Sequence, residues 1–157
     1  MRLLSDHFSA DSMIPLKFSC EGEGISPSLK WEDVPFETRS FALIVDDPDA
    51  PNRTFVHWVL YDLPLQTRNL PAGVPTEPML QGGGIQGTND AGQFGYTPPC
   101  PPSGIHRYFF KLYALDAPLG LDFGATKEEV EAAMANHILA TAQLIGRYEK
   151  QRSAVTR

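Results

Sequence analysis

Three short stretches of this chain place titratable side chains at the ends of apolar runs, or inside them, where oxyanion and proton-transfer chemistry is commonly prepared. Asp46-Asp47-Pro48-Asp49-Ala50-Pro51 crowds three carboxylates into one turn, and its prolines fix φ and remove donors, so the turn is stiff. Phe55 to Tyr61 carries His57 within an apolar run. Strand alternation there predicts His57, Val59 and Tyr61 on one face, with Trp58 and Leu60 on the other. The third stretch, Gly95 to Tyr108, winds through prolines and glycines around Cys100 and ends on His106 and Tyr108, which are two apart and share a strand face. Taken singly, these are a solvated turn, a core histidine with a satisfied hydrogen bond, and a surface loop. Together they supply two imidazoles, a phenol, a carboxylate pair and backbone donors, a set able to grip a small oxyanion such as a phosphoryl group.

The Asn52-Arg53-Thr54 connection is short enough to fold one segment back beside the other, which predicts Asp47 within reach of His57. A carboxylate there would hold the imidazole cationic or in one tautomer. The same pair could serve a hydrolase, with His57 or His106 as general base and Asp47 orienting the ring. No G-x-S-x-G elbow accompanies it, and Cys100 is the only obvious nucleophile near the site. Asp47, Asp49, His57 and His106 are also acceptable metal-ligand types, but without close pairing the set is non-specific. Neither a metal nor a cofactor is called for.

These residues need a scaffold that brings three loops together. The 157 residues fit one domain, and 42% hydrophobic with 20% charged residues is ordinary for a globular protein. Ser28 to Trp31, Ser40 to Asp46, Phe55 to Leu63 and Arg107 to Leu115 are short, rich in β-branched and aromatic residues, and bounded by Pro and Gly; they read as strands. Ser40 to Asp46 is apolar on both faces, as a covered central strand would be. Trp31 and Tyr113 are assigned to packing, Tyr113 lying opposite His106 and Tyr108 by parity. Thr126 to Glu129 forms a capping box, and Val130, Met134 and Ile138 follow at helical spacing, with Asn136-His137 a potential break. Leu144 to Tyr148 reads equally as helix end or final strand. The expected fold is mainly β: a two-sheet antiparallel β-sandwich with long Pro/Gly-rich loops and a helical C-terminal segment, spanning residues 1–157 as a single domain.

The net charge of −6, with no Lys/Arg cluster, argues against nucleic-acid or anionic-membrane partners. No apolar run approaches the roughly 18 residues of a membrane span. No apolar region follows Arg2 as in a secretory signal, so a cytoplasmic location is expected. In a reducing compartment Cys20 and Cys100, which lack C-x-x-C spacing, are expected to be separate thiols.

The D-P-D-A-P turn at Asp47 to Pro51, the His57-Trp58 strand and the G-x-H-R-Y run at Gly104 to Tyr108 resemble the signatures of the phosphatidylethanolamine-binding protein family, also called Raf kinase inhibitor protein-like. The stretches from Cys20 to Trp31, from Gln86 to Asp90 and from His137 to Ala140 resemble its compact bacterial and archaeal branch. The resemblance covers nearly the whole chain. It implies a β-sandwich with a small anion-binding cavity where Asp47 is the anchoring carboxylate, Asp49 and Pro51 shape the turn, His57 and His106 are the imidazoles, Tyr108 lines the wall, and the loop before Gly104 supplies backbone donors. Pro98 stands where bacterial relatives usually have Gly, so any contact made through that amide must be made differently here. The implied function is non-enzymatic binding of a small phosphorylated or anionic ligand. The alternative is a regulator that inhibits a kinase or protease by surface contact. The branch also admits a protein partner and a homodimer.

Overall fold

The structure, a computed structural model, describes residues 1–151. Strands β1 (Arg2–Leu4), β2 (Leu29–Glu32) and β5 (Asn69–Leu70) form a small antiparallel sheet in the order β1-β2-β5. Strands β3 (Ser40–Asp47), β4 (Phe55–Pro64), β6 (Ile85–Gln86), β7 (His106–Leu115) and β8 (Ile138–Tyr148) form a larger one in the order β6-β4-β3-β7-β8. The two-sheet, mainly β expectation holds.

The apolar runs explain the layering. Phe41, Leu43 and Val45 of β3 point between the sheets with Trp58 and Leu60, Phe110 and Leu112, and they meet Leu3, Leu29, Trp31 and Leu70 of the small sheet. Ala42 and Ile44, on the opposite face, pack with Val59, Tyr61 and Leu115 against Val130 and Met134 of helix α1 (Lys127–Met134). All eight residues of β3 are therefore buried. Burying each large aliphatic or aromatic side chain contributes roughly 1.5–3 kcal/mol, so this strand anchors both layers. Trp31 lies in the inter-sheet core and Tyr113 on the α1 side, as their parity requires.

Helix α1 starts where the capping box predicts: Thr126 Oγ1 accepts from the Glu129 N–H, and Glu129 Oε1 accepts from the Thr126 N–H. It stops two turns later. Asn136 takes φ 69°, a left-handed conformation that ends the helix, so Ile138 opens β8 instead of continuing the helical series. β8 then pairs with β7 from Leu115↔Ile138 to His106↔Tyr148, settling Leu144 to Tyr148 as strand. Among the described residues no helix is long and apolar enough to cross a membrane.

Cys20 and Cys100 are not separate thiols; they form a disulfide with their Cα atoms 5.4 Å apart. It joins two loops that no strand pairing holds together. Sequence distance hid this, since the partners are 80 residues apart and only the fold brings them into contact.

Candidate functional site

The end of β3 and the starts of β4 and β7 lie at one end of the large sheet: Asp47 pairs with Phe55, and Asp46 with Phe109. Antiparallel pairing therefore gathers the carboxylate turn, the histidine strand and the G-x-H-R-Y segment around one cavity of about 230 Å³. Asp47, Pro51, His57, His106 and Tyr108 all line it. Asp49 does not. Its carboxylate turns outward and accepts from the backbone N–H, Nε and Nη2 of Arg107, each at 2.9 Å. That guanidinium holds the Asp49 carboxyl down at about 2, so the residue ties the turn to β7 without facing the cavity.

Strand alternation misplaces His57. The register runs Val45↔Trp58 and then Asp46↔Val56, leaving His57 as the extra residue of a β-bulge. The slip returns Val56 to the layer of Val59 and Tyr61 while His57 turns to the opposite side. There it joins Phe55, with ring centroids 4.8 Å apart, and meets Tyr108 edge-on at 5.2 Å. Asp90 stabilises the slip from 34 residues away, accepting the Val56 N–H on Oδ2 and donating its own N–H to the Val56 carbonyl. Nothing within the strand's own pattern signals it.

The predicted Asp47–His57 contact is absent. Asp47 Oδ2 instead accepts from His106 Nδ1 at 2.6 Å, while Oδ1 accepts the Asp49 N–H at 2.8 Å. His57 Nδ1 donates to the Thr97 carbonyl at 2.7 Å, and the Thr97 N–H donates to the His57 carbonyl at 2.9 Å. Burial pushes the His57 pKa below its ordinary 6.5; the Thr97 carbonyl and the more distant carboxylates Asp47, Asp46 and Asp90 oppose this only in part. Burial thus favours the neutral imidazole, and the ring is held in one tautomer by the Thr97 carbonyl and not by the expected carboxylate. Burial also raises the Tyr108 phenol, with Asp47 and Asp49 adding to it, so that O–H stays a donor. The Tyr108 ring stands between the imidazoles, stacked at 6.5 Å on His106.

The remaining wall is apolar: Phe55, Ala50 and the rings of Pro98, Pro101 and Pro102. Prolines have no N–H, and the Thr97 amide is already paired, so the loop supplies few of the backbone donors expected of it. Among the described residues no Lys or Arg side chain lines the cavity. Cys100 does, but as a half-cystine it has no thiol to act as a nucleophile. Sequence reasoning missed Thr97, Asp90 and Arg107 as positioning residues, although Thr97 and Arg107 lie inside the Gly95 to Tyr108 stretch and Asp90 ends the Gln86 to Asp90 stretch already named.

A β-sandwich whose titratable groups converge on a loop-walled cavity at one sheet end defines the class. The family profile described as phosphatidylethanolamine-binding protein matches residues 4–149, and the chain belongs to that family. Among its relatives, the UPF0098 protein of Methanothermobacter thermautotrophicus is 49% identical over 150 residues, covering 96% of this chain and 99% of the relative. The UPF0098 protein of Aquifex aeolicus is 50% identical over 153 residues, covering 96% and 89%. Among solved structures, a phosphatidylethanolamine-binding protein homologue from Chlamydia trachomatis superposes with a TM-score of 0.89 at 46% identity, covering 96% and 97%. E. coli YbcL gives 0.86 at 31%, covering 96% and 98%.

Proposed function

We propose that this protein is a non-enzymatic binding protein whose cavity takes a small oxyanion, a phosphoryl group or phosphorylated headgroup being the best fit. The observation that carries this reading is the convergence of His57, His106 and Tyr108 on one cavity with otherwise apolar walls, with Asp47 holding His106. A buried polar cluster of this kind is costly unless it has partners, and the cavity leaves its inward atoms free for a ligand. An apolar wall beside a polar floor suits a phosphomonoester, whose ester carbon meets the proline rings while its oxygens meet the imidazoles and phenol. The family's description, which names a phosphate-bearing headgroup, agrees.

Calorimetry with inorganic phosphate and phosphoethanolamine tests it. Saturable binding by the wild type, lost in His57→Ala with the fold retained, is expected. No heat with either ligand in the wild type would remove the small-anion reading and favour a surface regulator of a kinase or protease. The cytoplasmic location expected from the sequence is weighed against by the Cys20–Cys100 disulfide, because such bonds are uncommon in a reducing cytosol. Alkylating intact cells before lysis and counting free thiols on the protein decides between the two.

A further inference from the structure

We infer that the cavity selects oxyanions that carry their own proton and discriminates against fully ionised ones, with His57 Nε2 as the acceptor that reads the ligand O–H. This rests on the oxyanion reading above and specifies the ligand's protonation state.

The argument starts from the tautomer. A carbonyl oxygen can only accept, so the 2.7 Å contact between His57 Nδ1 and the Thr97 carbonyl places the ring proton on Nδ1. In a neutral imidazole Nε2 is then a lone pair. His57 is 5% exposed, and no carboxylate reaches hydrogen-bonding distance of it; Asp47, the nearest in the cavity, is paired to His106. Burial therefore favours the neutral ring, and the facing groups do not reverse this: Asp46 is bound by Lys111 and Lys127, Asp90 by the Val56 amide, and Tyr108 is a neutral phenol.

The carboxylate in the cavity is already in use. Asp47 Oδ1 and Oδ2 are occupied by the Asp49 amide and by His106. Among the described residues no Lys or Arg stands on the wall, and prolines stand where amides would be, so these residues supply no permanent positive charge for a fully ionised anion. Such an anion would set acceptor oxygen against the Nε2 lone pair, or force His57 to take up a proton against its burial. An oxyanion with one O–H avoids both: it donates to Nε2 and accepts from the Tyr108 O–H through another oxygen. Sites built around a ligand hydroxyl reject analogues lacking it, because a buried polar atom is then left unpaired.

Three probes separate the cases. Inorganic phosphate retains an O–H across neutral pH, a phosphomonoester such as methyl phosphate loses its last O–H near pH ~6, and sulfate has none. Calorimetry at about pH 5.5 and about pH 8 should show phosphate bound at both. Methyl phosphate should weaken at least about tenfold relative to phosphate at the higher pH, and sulfate should bind at least about tenfold more weakly than phosphate throughout. His57→Gln, whose amide can turn an N–H toward the ligand, should narrow the phosphate-to-sulfate ratio, an effect a merely structural role would not produce. Equal affinity for sulfate and phosphate, or methyl phosphate tracking phosphate with pH, would overturn the inference while leaving the oxyanion reading intact. Failure of all three probes to bind would overturn both.

Discussion

His106 Nδ1 stands 2.6 Å from Asp47 Oδ2, and both side chains are more than nine-tenths buried. The carboxylate serves the second imidazole and leaves the first to a backbone carbonyl, so the two rings of the cavity are held by different chemistry.

Removing that carboxylate strips partners from two donors at once, the His106 ring and the Asp49 amide. Asp47→Ala should therefore destabilise the protein by about 1–3 kcal/mol, read from urea denaturation. Asp47→Asn, which keeps an acceptor, should cost less. In calorimetry, Asp47→Ala binding inorganic phosphate more tightly but phosphoethanolamine less tightly would make the carboxylate an ammonium reader.

His57 gives a pH signature. Its folded pKa lies below the unfolded value of 6.5, so the unfolded chain binds the proton more readily. The stability this neutral ring contributes is present above pH 6.5 and is lost as pH falls from there toward the folded pKa. His57→Gln should flatten the stability profile in that acid window and leave it unchanged above. An identical slope in the variant would place the titrating group elsewhere.

Much of this arrangement was legible in advance, for reasons that differ by element. β3, β4 and β7 announce themselves because each is rich in aromatic and β-branched residues between turn residues, and the capping box at Thr126 is a local code. The end of α1 was legible only as a potential break at Asn136-His137, since Ile138 continues the spacing of Val130 and Met134 and the backbone at Asn136 is what ends the helix. His57 was found as a residue but placed on the wrong face, because the bulge that turns it is secured by Asp90 from another loop. Likewise, Asp47 was identified but given the wrong imidazole. Both candidates lie close in space, and the choice depends on a register shift that no local pattern encodes.

The Cys20–Cys100 bridge should matter to the cavity as well as to stability. Prolines leave the loop after Thr97 almost without amides, and one backbone bond, Cys20 N–H to the Pro99 carbonyl at 3.0 Å, accompanies the disulfide. Cys100→Ser should lower stability by about 2–4 kcal/mol and weaken phosphate binding by loosening the wall. A variant with lower stability but unchanged affinity would show the wall is held by packing alone.

Asp49→Asn should behave differently from Asp47→Ala. The Asp49–Arg107 pair is partly solvent-exposed and screened by water, so its loss should cost about 1 kcal/mol. Phosphate affinity should change little, since Asp49 does not face the cavity. A large loss of binding with unchanged stability would mean that the turn moves in solution.

The most direct test uses the chain's four histidines, His7, His57, His106 and His137, as reporters. Imidazole nitrogen shifts are followed by NMR while inorganic phosphate is added. His57 and His106 should move saturably along one binding curve, while His7 and His137, outside the cavity, stay in place. Shifts confined to His7 and His137, or all four drifting together without saturation, would contradict an oxyanion site in the cavity.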